Sequence, residues 1–290
     1  MKKQVWIITV LLMIAIFASG CGQSGKASDD VKHVKIGVNG SDGVQWPILK
    51  EKALEEGIEI ELVEFEDYTL PNQALAQGDI DLNSFQHIVF LAQYVKESGE
   101  DIVPIGSTQF APLGLYSEKI TDVEEIGEGD KIAIPDDPTN QARALRLLET
   151  AGLITLKDGF GLFGDPSGIA DNPLDLEIIP MVAQQTPRAL PDVTGAIINN
   201  GVAGQAGFSP AEDPIFKETG GDDASIPYVN IFAARGDDAD NETYQRIVEL
   251  YQEDDVEEAI EEDTKGGAYL EILKQEKLDD VFQKLVNEER

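Results

Sequence analysis

The chain has 290 residues, 55 of them acidic and 22 basic, for a net charge of −33 at pH 7. A surface this negative repels nucleic acid and anionic lipid head groups, which excludes nucleic-acid binding. Hydrophobic residues still make up 42% of the chain, enough for a packed core under an acidic coat.

The N-terminus reads as an export signal. Lys2 and Lys3 precede an apolar run from Val5 to Ala18, broken only by Thr9, and Ser19-Gly20 follow. The run is short for a membrane-spanning helix, which needs about 20 residues. Cys21, the only cysteine, comes next, so no intramolecular disulfide can form and the exported part depends on its core. The arrangement resembles a bacterial lipoprotein signal, in which residues 1–20 are removed and Cys21 is lipid-modified. It departs from that pattern at Ala18, where leucine is usual, and an ordinary cleaved signal or an uncleaved anchor stands as the alternative. Without its first twenty residues the chain carries −35, since they contain two lysines and no acids. Residues 21–30 are small and polar and read as a flexible linker.

Beyond the linker, "HVKIGV" (33–38) reads as a buried strand, and Trp46, Leu49 and Ala53 recur at helical spacing up to Gly57. "IEIELVEF" (58–65) alternates as a second strand. "LPNQALAQGD" reads as a short helix, opened by Pro71 and ended by Gly78. "IDLN" (80–83) reads as a third strand and "FQHIVFLAQYVKE" (85–97) as a helix. Such alternation argues for an α/β domain with a mainly parallel sheet. "QFAPLGLYSEKI" then reads as a crossover into a second series. There, "DKIAIP" is a strand and "TNQARALRLLETAGL" a helix, and "LEIIP" and "GAIIN" are further strands. "YVNIFAAR" (228–235) is a late strand that leads into two acidic helices. The expected fold is therefore two α/β lobes. Residues 31–112 plus 228–290 form the first and 113–227 the second, with the chain crossing twice between them.

Open parallel sheets bind ligands beyond the C-terminal ends of their strands. Asn83, Phe85 and His87 follow one strand, Asn140 and Arg143 another, and Asn199 ends a third. That recurrence points to a cleft. Asp137 is the expected cap of the helix that Pro138 opens, a place that attracts anions. Arg143 can reach back to such an anion as a carboxylate clamp. Alternatively it is a surface arginine paired with Asp136, Asp137 or Glu149. His87 can be a general base, a metal ligand, or a ring packed in a core or against a ligand. No second histidine or cysteine can join it on a metal, and no G-x-S-x-G elbow supports a hydrolase. "RGDDADNET" (235–243) lacks the glycine and glutamate spacing of a calcium loop and reads as a solvated turn.

Five stretches together resemble the NlpA-type methionine-binding lipoproteins, the receptors of bacterial methionine importers. They are "EDYTLPNQALAQGDIDLNSFQH", "APLGLYSEK", "KIAIPDDPTNQARALRLLETAGLITL", "ALPDVTGAIINNGVAGQAG" and "PYVNIFAAR", in family order. The resemblance implies a two-lobed periplasmic-binding-protein fold with a free amino acid held between the lobes. It implies that Tyr68, Phe85 and His87 surround the thioether and that Arg143 clamps the carboxylate. Asn199 and Asn230 would hold the head group, with help from Asn140 or Asn83. It further implies a monomeric, non-catalytic receptor without metal or cofactor, lipid-anchored at Cys21 on the outer face of the cell membrane. Such a receptor would deliver methionine to an ABC permease and its ATPase. The chain departs from the family at Asp136, at Val202 and in a longer, glycine-rich segment between Gly161 and Asn172. These departures leave another small amino acid or a methionine-containing peptide open as ligand. An enzyme acting in the same cleft, or a surface lipoprotein without ligand, are the readings from other classes.

Overall fold

A computed structural model describes residues 31–287. The expected signal segment (1–20), Cys21 and the whole expected linker (21–30) lie outside the described residues.

The first run is β1 (Lys32–Val38), α1 (Gln45–Glu55), β2 (Ile58–Glu64), α2 (Pro71–Gln77), β3 (Leu82–His87), α3 (Ile88–Ser98) and β4 (Ile102–Phe110). The expected faces are in place: α1 buries Trp46, Leu49 and Ala53. Pro71 opens α2, and Gly78 closes it at a φ of 79°, a left-handed conformation that glycine adopts without penalty.

After Ala111–Leu113 come β5 (Gly114–Tyr116), β6 (Lys131–Pro135), α4 (Pro138–Thr150), β7 (Thr155–Leu156), β8 (Ile169–Asp171) and β9 (Glu177–Met181). The short α5 (Thr186–Ala189), β10 (Gly195–Ile198), α6 (Asn200–Gln205) and β11 (Phe216–Lys217) follow. The chain then returns as β12 (Val229–Arg235), α7 (Glu242–Tyr251), α8 (Asp254–Thr264), β13 (Tyr269–Leu270) and α9 (Gln275–Asn287). The C-terminal part thus holds a third helix, α9, beyond the two read from the sequence.

Two main sheets result, in the orders β13-β4-β12-β3-β1-β2 and β11-β5-β10-β6-β9. Strands of the first come from residues before 111 or after 228, and those of the second from between. Apolar clusters pack both faces of each sheet, around Leu49, Phe232 and Tyr251 and around Leu91, Val229 and Phe282 in the first. In the second they gather around Leu145 and Ile197 and around Tyr116 and Ile198.

Each sheet is mixed, where a mainly parallel one is expected. The blocks β2-β1-β3 and β9-β6-β10 are parallel, whereas β12 and β5 run against their neighbours. The crossovers explain this. A strand that starts where the chain has just crossed begins at the C-terminal edge of its new sheet, so it must run backwards.

β3 also differs from expectation, continuing to His87 instead of ending at Asn83. Asn83, Gln86 and His87 pair with Ala233, Ile231 and Asn230 of β12, and this ladder outweighs the helical pattern of "FQH". β4, unread in the sequence, lies between β12 and β13. It passes so close under α7 that a Cβ on Gly106 would lie 2.2 Å from Cγ1 of the buried Val248. Val248 is short and β-branched and has no flexible end to swing aside. Gly106→Ala is therefore expected to destabilise the protein by about 1–3 kcal/mol through overpacking, measured by urea unfolding.

Candidate functional site

The C-terminal ends of β1, β3, β6 and β10 converge with the crossover after β4 on a cleft of about 120 Å³. Seven of the eight expected residues line it: Tyr68, Phe85, His87, Asn140, Arg143, Asn199 and Asn230. Asn83 does not. It is fully buried behind β3, donating to Asn72 Oδ1 (2.9 Å) and accepting from Gln86 Nε2 (2.9 Å). The reason is the pleat together with an irregularity in the β3–β12 register between Asn83 and Gln86, so Asn83 and His87 do not share one face.

Arg143 is 4% exposed, so it is neither a surface arginine nor a partner of Asp136, Asp137 or Glu149. Its Nε donates to Glu218 Oε1 (2.9 Å), and its Nη2 donates to Glu218 Oε2 (2.6 Å) and to the Ala111 carbonyl (3.1 Å). The guanidinium lies over the Tyr228 ring, 4.5 Å from its centroid, with Phe110 5.7 Å away. Nη1 has no hydrogen-bond partner among the described residues, which leaves it for a ligand.

Glu218 is bound in turn by the Leu113 backbone N–H (2.8 Å), and its own N–H donates to the Leu113 carbonyl (3.0 Å). The two crossover strands of chain are thus stitched together beside the arginine. Local sequence around "FKETGG" carries no hint of this role. Only the fold brings Glu218, 75 residues away, to Arg143.

His87 caps α3: its Nδ1 accepts from the Phe90 backbone N–H (3.1 Å). The proton therefore sits on Nε2, which donates to Asn140 Oδ1 (3.2 Å). Asn140 Oδ1 also accepts from Asn199 Nδ2 (2.9 Å), and Asn140 Nδ2 donates to both oxygens of Asp137 (3.1 and 3.0 Å). Asp137 is the N-cap of α4, as expected, accepting from the Asn140 backbone N–H (2.9 Å). The anion-attracting helix end is occupied by this carboxylate, whose pKa burial raises against those hydrogen bonds. Burial, and then the nearby charge of Arg143, pushes His87 down to about 3. A ring held neutral, with both nitrogens engaged by the protein, is poorly suited to be a general base.

Tyr68, Phe85 and Phe90 form an aromatic wall, their ring centroids 5.8–6.2 Å apart. Burial raises the pKa of the Tyr68 hydroxyl. Phe90 was not anticipated, although "FQHIVF" contains it. Asn199 Oδ1 is buried without a partner among the described residues. A buried orphan acceptor is costly unless a ligand donor meets it. One cationic edge, one orphan amide oxygen and an aromatic wall therefore share one small cleft. Among the described residues no group of three His, Cys, Asp or Glu is placed to hold a metal ion.

The family model for NlpA lipoprotein matches residues 34–273. The chain belongs to the NlpA lipoprotein family. It is 42% identical over 261 residues to the D-methionine-binding lipoprotein MetQ of Salmonella typhimurium, covering 89% of this chain and 94% of that one. Among solved structures, protein PG110 from Staphylococcus aureus superposes with a TM-score of 0.85 at 48% identity, covering 87% of this chain and 99% of that one. A nutrient binding protein from Burkholderia cenocepacia bound to methionine gives 0.78 at 39% identity, covering 82% and 99%. The fold is the two-lobed one of periplasmic binding proteins, here in its NlpA form.

The protonation state of His87 has a consequence for stability. Its pKa is lower in the folded than in the unfolded protein, so the unfolded state takes up more protons below pH 6.5 and stability falls as the pH falls. His87→Asn removes the titration while keeping an acceptor to cap α3. The stability of wild type relative to His87→Asn is expected to drop by up to about 1.4 kcal/mol per pH unit between pH 6.5 and 3, in urea titrations of both proteins.

Proposed function

We propose that this NlpA-family protein is a non-catalytic receptor for methionine, held on the outer face of the cell membrane by lipid at Cys21, and that it hands its ligand to an ABC permease and ATPase. It would act as a monomer, residues 31–112 plus 228–290 forming one lobe and 113–227 the other. The observation that carries this reading is that one cleft is lined both by a cation with amides and by a set of aromatic rings. Nη1 of Arg143, Asn199 and Asn230 suit an amino-acid head group, while Tyr68, Phe85, Phe90 and the His87 ring suit a thioether. Relatives named as methionine-binding lipoproteins, and a structural neighbour bound to methionine, support it. No helix among the described residues is long and apolar enough to cross a membrane, which leaves anchoring to the segment before them.

A second reading, a short methionine-containing peptide, has one observation in its favour. A further cavity of about 520 Å³ shares Asn39, Gly40, Gln45, Gln109, Asn200 and Gly201 with the first. That adjoining space would receive a second residue.

Calorimetry with methionine tests the main reading. Arg143→Ala combined with Glu218→Gln, which avoids stranding a carboxylate, is expected to weaken methionine binding by more than about thirtyfold. Unchanged binding in this double variant would remove Arg143 from the head-group site. Dipeptides of methionine are expected to bind more weakly than methionine itself; tighter binding would favour the peptide reading.

A further inference from the structure

Among the described residues, Arg143 is the sole charged side chain lining the cleft. Judged by the lining alone, the site suits a simple monoanion. The layer behind changes that count. Glu218 is held against Arg143 by three hydrogen bonds of 2.6–3.1 Å, its side chain only 16% exposed, and it does not line the cavity. The other acid nearby, Asp137, sits on the N-terminus of α4 and is bound by Asn140 and Thr139, so its charge is met locally. Arg146 donates to the carbonyls of Phe160 and Gly161, outside the lining.

We propose that Glu218 is a specificity-determining residue that makes the site select ligands of zero net charge. It neutralises the arginine without blocking Nη1, so the cleft still offers a donor for a carboxylate but no surplus positive charge. A carboxylate arriving alone leaves an uncompensated negative charge in a buried site, where screening is weak. A zwitterion brings its own ammonium and leaves the balance at zero. Asn199 lines this cleft, and its buried Oδ1, without a partner among the described residues, is an acceptor available to such a group. Glu218 thereby demands an amino group it does not touch. This inference rests on the reading that Arg143 receives the ligand's carboxylate.

The test compares methionine with its analogue lacking the amino group, 4-methylthiobutanoate, by competition calorimetry. In the wild type the analogue is expected to bind far more weakly than methionine. In Glu218→Gln, which keeps the shape and can still accept from the Leu113 N–H, the ratio of the two dissociation constants is expected to shift toward the analogue by about tenfold or more. Glu218→Asp keeps the charge and should retain the wild-type ratio, even where both ligands bind more weakly. A ratio unchanged in Glu218→Gln, with methionine and analogue weakened alike, would mean that Glu218 only supports the fold, and the inference would fall. If the Arg143→Ala, Glu218→Gln double variant also binds methionine like the wild type, the clamp itself is wrong. Thermal unfolding of each ligand-free variant establishes that the compared proteins are folded.

Discussion

The pairing of Arg143 with Glu218 is the constraint around which this molecule is arranged. A guanidinium that is 4% exposed cannot stay in a protein interior without a partner, because its desolvation costs several kcal/mol. Glu218 supplies the charge, Ala111 a carbonyl, and Tyr228 a ring face. All three belong to the segments where the chain passes between its two sheets. The cation that lines the cleft is thus anchored on the connecting chain itself.

The second link between the lobes joins two neutral side chains. His87 at the end of β3 reaches Asn140 at the start of α4, and Asn140 ties together Asn199 and Asp137. Every polar atom in that series has a fixed role as donor or acceptor except Asn199 Oδ1. A network satisfied up to its last atom is rigid, and its open end shows where a donor is missing.

Much of this was legible in the sequence, for reasons that can be stated residue by residue. Trp46, Leu49 and Ala53 repeat at helical spacing, and Pro71 and Gly78 punctuate α2, so local pattern and observed element agree. The cap at Asp137 needs only its own next three residues and was equally readable. What escaped depends on partners far along the chain. β3 extends to His87 because β12 pairs with it, from more than 140 residues away. Arg143 has neighbouring acids in sequence, yet the fold selects Glu218. By sequence Asn83 groups with Phe85 and His87 at the end of one strand, but the register irregularity places it in an amide cluster behind that strand.

His87 bears on how such a binding site can diverge. Its ring faces the cleft while its Nδ1 caps α3 and its Nε2 holds Asn140, so a replacement has to supply both a helix cap and a bridge between lobes to leave the structure undisturbed. Tyr68 and Phe85, in contrast, meet their surroundings through ring contacts. A change in the size of the cleft is therefore least disruptive at those two positions. The histidine, tied at both ring nitrogens, leaves the least room for substitution.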